Sequence, residues 1–95
     1  MQIEKRDVES NLPRKGFERD NSRQHHIYFN QRHNGKYTGA YTYTSHSIRS
    51  IGDPIISRMK QELRLNSTRQ VADLVNCPIS SEEYVEILRS RGVVT

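Results

Sequence analysis

The sequence predicts an α+β fold: a helix, three strands of one antiparallel sheet, a second helix on the same face as the first, and a closing pair of helices. Three local signals carry this. Asn34-Gly35 stands between two runs rich in aromatic and β-branched residues, and a type I′ hairpin turn needs positive φ at both central positions, which this dipeptide supplies. Ile55, Ile56, Met59 and Leu63 recur at helical spacing behind Asp53-Pro54, residues favoured at a helix start. Ser80-Ser81-Glu82-Glu83 spells a capping box ahead of the apolar stripe Tyr84, Ile87 and Leu88.

Taken in order, residues 4–12 form a short helix with Val8 and Leu12 at i, i+4 on its buried side, and Pro13 stops it. Arg14-Lys15-Gly16 is a basic corner leading into a short strand from Phe17 to about Arg19, and Asp20-Asn21-Ser22 is a turn. The hairpin spans Arg23 to His46, and Ser45 to Gly52, carrying Arg49, connects it to the helix that Asp53 caps. Arg58 and Lys60 flank that helix's apolar stripe, expected as a solvated face, with phosphate contact the lesser alternative. Asn66-Ser67 ends this helix and caps the next, in which Val71, Leu74 and Val75 face inward until Cys77-Pro78 breaks it. In the last helix Arg89 and Arg91 suit the C-terminal dipole, and Gly92 closes it. Residues 1–95 make one domain, with 66–95 as a helical extension of a core formed by 1–65.

An apolar content of 33% concentrates burial in few positions. The balance of 15 Lys and Arg against 11 Asp and Glu gives +4 and a pI near 9.5, which suits a polyanionic partner, nucleic acid being the usual one. One cysteine, Cys77, forms no internal disulfide and fits a reducing compartment. No apolar run has membrane-spanning length and the N-terminus lacks a signal-peptide core, so the cytoplasm is the expected location.

All four histidines lie in or beside the hairpin. With a two-residue turn, His33 faces Lys36 and His25 lies opposite Thr44, with Thr42 and His46 as its diagonal neighbours. Alternation then puts His25, Ile27, Phe29, Ala40, Thr42, Thr44 and His46 on one face and His26, Tyr28, Tyr41 and Tyr43 on the other. Diagonal neighbours about 7–8 Å apart leave room for a phosphate between the imidazoles of His25 and His46. The tyrosines could stack bases, but with His25 needing access they are expected to pack beneath the helices. Ile27 and Phe29 would then lie on the open face, covered by the C-terminal helices or by a partner protein.

The run Gly16-Phe17, then His25-His26-Ile27-Tyr28, then Thr42-Tyr43-Thr44-Ser45-His46, followed by the helix from Pro54 to Leu65, resembles the HicA toxins of bacterial and archaeal toxin–antitoxin systems, over about residues 8–65. The resemblance implies a small double-stranded-RNA-binding-like fold, cleavage of mRNA through a strand histidine without a cofactor, and neutralisation by a HicB-like antitoxin protein. By position His25 matches the catalytic histidine and His26 its neighbour. Arg23-Gln24 stands where the family usually has a small-residue pair, and Tyr43-Thr44 where it often has Val-Pro.

The chemistry is reasonable on its own terms, because RNA supplies its 2′-hydroxyl as nucleophile and histidine serves as base or acid near neutral pH. His25 is the expected catalytic group with His46 as candidate partner, and Lys15, Arg14, Lys36, Arg49 and His26 are the expected RNA contacts. Against this, a strand histidine is ordinarily a packing residue, His46 would ordinarily be a loop or cap residue, and His33 a solvated one. Zinc wants three or four ligands at recurrent spacings, which one cysteine and adjacent histidines pointing apart do not provide. A non-catalytic RNA-binding module or a protein-interaction module of the same fold is the competing expectation.

Overall fold

The structure, a computed structural model, describes residues 1–76 and 78–95. Cys77, with the thiol and the first half of the expected helix break, lies outside the described residues. It is an α+β fold in which a three-stranded antiparallel sheet is ordered β2 (Phe17–Asp20), β3 (His26–His33), β4 (Lys36–Ser45). Four helices accompany it: α1 (Lys5–Asn11), α2 (Asp53–Glu62), α3 (Thr68–Val75) and α4 (Ser81–Ser90). A second, two-stranded sheet of β1 (Ile3–Glu4) and β5 (Ser50–Ile51) was not expected; it buries Ile3 against Ile51 and starts α1 at Lys5, whose N–H donates to the Arg49 carbonyl at 2.8 Å.

Local chemistry sets most of the boundaries. Leu12 ends α1, and Pro13 opens a 3₁₀ turn through Lys15. Gly16 then takes φ +87°, where a Cβ would lie 3.3 Å from the Arg32 carbonyl, so a side chain there is both strained and crowded. Asn34 and Gly35 have φ 54° and 78°, as a type I′ turn requires. Gly52, not Asp53, is the residue before α2, with Asp53 and Pro54 inside its first turn. Ser67 accepts from the Gln70 N–H, and Ser80 and Glu83 form both bonds of the capping box.

One apolar cluster holds the molecule together. Ile27, Phe29 and Ala40 from the sheet meet Val8, Ile56, Met59, Leu63, Val71, Leu74, Tyr84 and Leu88 from the helices, so the helices cover the Ile27/Phe29 face. This reverses the expected arrangement. Aliphatic and phenyl groups bury without stranding a polar atom, whereas each tyrosine hydroxyl needs a partner or water. Ile27 and Phe29 are covered by the helices, the C-terminal pair among them.

The C-terminal pair is part of this core, and it also resolves a backbone problem. The last carbonyls of a helix have no partner within it. Those closing α3 are met by Asn11 Nδ2, 2.6 Å from the Val75 oxygen, and by Lys15 Nζ, which donates to the Leu74 oxygen. Those following α2 are met by the Tyr84 hydroxyl, 2.8 Å from the Leu63 oxygen, and by Arg91, 3.1 Å from the Leu65 oxygen. Burial pushes the Tyr84 phenol well above its ordinary range, so that hydroxyl stays a donor.

Candidate nucleic-acid interface

The face of β3 and β4 opposite the helices carries a row of aromatic rings. Tyr28 stacks on Tyr43 with centroids 5.0 Å apart at 23°, and on Tyr41 at 6.2 Å and 21°. His26 stands edge-on to Tyr43 at 4.9 Å. Two guanidiniums lie over the row: Arg23 over Tyr28 at 4.6 Å, and Arg58 over Tyr43 at 3.9 Å. A recess lined by Arg23, Tyr28, Asn30, Tyr37 and Tyr41 continues the surface toward the turn.

Arg58 reaches this face from α2 by wrapping the outer edge of β4. Its Nη2 donates to the Tyr43 carbonyl at 2.8 Å, so that carbonyl points away from β3. Tyr28 and Tyr43 are therefore a non-hydrogen-bonded pair, the kind whose side chains approach more closely, which is why their rings stack. Arg58 Nε also lies 3.3 Å from Glu62 Oε2, and Thr42 donates to Glu62 Oε1 at 2.9 Å. Burial raises the Glu62 carboxyl above its ordinary value, with Thr42 and Arg58 opposing. Burial, helped by the Glu62 charge, raises the Tyr41 phenol in the same way.

The histidine end differs from the expected register. Near the turn Arg32 pairs Tyr37 and His33 pairs Lys36, but beyond an irregularity Asn30 pairs Tyr41, Ile27 pairs Thr44 and His26 pairs Ser45. β4 carries two extra residues there; Gly39 takes φ 94°, and Thr38 donates to the buried Gln31 side chain at 2.7 Å. The shift is even, so side chains keep their expected faces while every partner beyond the irregularity changes. His25 thus lies directly across from His46 instead of diagonally, the His46 N–H donating to the His25 carbonyl at 3.4 Å. Directly opposed Cβ atoms are about 4.5–5.5 Å apart. Both residues are exposed, so the helical layer does not seal them, and neither imidazole has a hydrogen-bond partner among the described residues.

The expected RNA contacts divide. Arg49 is exposed on the connection after His46, next to Lys5, whose Nζ lies 3.3 Å from the Ser45 and His46 carbonyls. His26 is half-buried in the aromatic row. Lys36 is exposed but sits at the turn, roughly 26 Å of strand from His25, too far to serve a phosphate held there. Arg14 is exposed on the 3₁₀ turn. Lys15 is a correction: it is buried, its ammonium spent on the end of α3, and it does not face a ligand. Sequence reasoning passed over Lys5 and Arg23, and it set phosphate contact by Arg58 below a solvated face. Only Arg58 left a trace, as a cation beside the α2 stripe; its path around β4 depends on tertiary packing.

No cluster of three or more metal-capable side chains occurs among the described residues, and none of their helices is long and apolar enough to cross a membrane. Compared with protein-family models, curated proteins and solved structures, the chain matches none of them.

Proposed function

We propose that the chain is a cytoplasmic RNA-binding ribonuclease of the HicA kind, the toxin half of a toxin–antitoxin pair, with mRNA as substrate and a HicB-like protein as its antitoxin. The observation that carries the reading is the half-exposed row of Tyr43, Tyr28 and Tyr41, outside the helical layer, with Arg23 and Arg58 over it. Aromatic rings interleaved with cations are how proteins hold single-stranded nucleic acid, each stacked base contributing about 1–3 kcal/mol. The order helix, three antiparallel strands, helix, with the helices on one face, is also that of the double-stranded-RNA-binding-like fold and supports the same reading.

Cleavage falls to the exposed His25–His46 pair at the end of that sheet. One imidazole takes the proton of a 2′-hydroxyl, whose oxygen attacks the adjacent phosphorus. The 5′-oxygen then leaves with a proton from the other imidazole, giving a 2′,3′-cyclic phosphate and a free 5′-hydroxyl. Lys5 and Arg49, both at this end, supply positive charge to the phosphorane. By alternation the imidazoles start on the side away from the tyrosines, so the strand has to turn over the end of the sheet to reach them.

A second reading, binding without cleavage, is favoured by one observation: among the described residues no third group orients either imidazole. His25→Ala separates the two. The ribonuclease reading expects the purified variant to bind RNA as the parent does and to cut it about 10²- to 10⁴-fold more slowly. Equal cutting by the variant rules out His25; no cutting by either protein leaves the binding reading alone.

A further inference from the structure

Most acidic groups near the open face lie on one side of it. On β2, Glu18 pairs Asn30 and Asp20 pairs Tyr28, which places both carboxylates on the tyrosine side of the sheet. Hydrogen bonds from Ser22 hold the Asp20 carboxyl below its ordinary value, so it is ionised when RNA would bind. Glu18 is paired with Arg32 at 3.4 Å, which leaves Asp20 as the carboxylate that repels a polyanion at the β2 border. The β4 border is different. There Tyr41 is shared with a groove of about 600 Å³ that runs along the end of α2, between it and the end of α4. Lys60, Arg64 and Arg91 line that groove, and none of the three has a carboxylate partner among the described residues. Its one acid, Glu62, is engaged by Arg58 and Thr42. Arg91 is fixed by the Leu65 carbonyl and by Asn66 Oδ1 at 2.7 Å.

We infer that this groove binds the backbone phosphates of the strand whose bases stack on Tyr43, Tyr28 and Tyr41, leading it off the sheet across β4. The inference rests on the proposed single-strand reading and gives the C-terminal helices a part in it, since Arg91 closes the groove. Tyr41, common to both surfaces, makes them one continuous track.

The test uses 2′-O-methylated oligouridylates, which cannot be cut, as a trinucleotide and as a longer probe of about a dozen nucleotides. The parent should bind the longer probe more tightly and with a steeper salt dependence. Lys60→Gln/Arg64→Gln should keep the trinucleotide affinity, which also reports an intact sheet. It should lose most of the gain with length, and its salt slope should fall by about 1.4, two phosphate contacts at roughly 0.7 each. An unchanged slope and long-probe affinity overturn the groove and leave the sheet reading standing. Failure of the parent to bind either probe overturns both. Binding of polyglutamate that displaces the long probe but not the trinucleotide assigns the groove to an acidic protein segment and overturns its role in the nucleic-acid path.

Discussion

The two faces of the β3–β4 hairpin draw on similar residue types and come to opposite uses. One presents Ile27, Phe29, Thr42 and Thr44, all buried; the other presents His26, Tyr28, Tyr41 and Tyr43, all half-exposed. Phe29 and Tyr28 are neighbours in sequence and differ by one hydroxyl. That oxygen gives a ring one wet end, so the tyrosines collect where water can reach them. The core face carries the apolar burial; the open face carries stacked rings with guanidiniums over them.

The largest effect should come from the core face. Phe29→Ala is expected to cost about 3–5 kcal/mol, a large part of the stability of a small domain, seen as a lowered urea midpoint by circular dichroism. If the midpoint barely moves, the two faces are not distinct in the way described. Lys15→Met tests whether a cation expected to meet RNA is structural instead. It should lose about 1–3 kcal/mol by leaving the Leu74 carbonyl unmet, while the salt dependence of RNA binding stays that of the parent. Tyr28→Ala inverts the pattern. Stability should fall by about 1–2 kcal/mol through the lost ring and guanidinium contacts, less than for Phe29→Ala, while affinity for single-stranded RNA, followed by fluorescence anisotropy, falls roughly five- to a hundredfold.

The smallest effect lies at the seam between the faces. A carboxyl whose folded pKa is raised favours the fold when protonated. That contribution is complete below the unfolded value of about 4.3 and is lost as pH climbs through the folded one. Glu62→Gln removes it, so the parent's thermal midpoint should decline relative to the variant's between acid and neutral pH. A difference that stays flat across that range means the carboxyl is not raised.

What could be read from the sequence was what is decided within a few residues. The Asn34-Gly35 turn, the Ser67 cap, the Ser80–Glu83 box and the stripes of α2 and α4 depend on nearest neighbours, and all are present. The face assignment failed because it argued from the access His25 would need rather than from the burial preferences of Ile27 and Phe29. The His25–His46 pairing and the path of Arg58 were beyond reach for another reason. Both depend on contacts distant in sequence: Thr38 meeting Gln31 inside the ladder, and α2 packing along β4.

The irregularity at Gly39 has an arithmetic of its own. Because β4 gains two residues there, inward stays inward along its whole length, and the strand tolerates lengthening in pairs. Inserting a single residue at that point would turn one half of β4 over, driving Tyr41 and Tyr43 into the oily interior and pushing Thr42 and Thr44 out into water. Length at this bend is quantised in twos, which leaves the hairpin free to be retuned end to end without ever exchanging its dry side for its wet one.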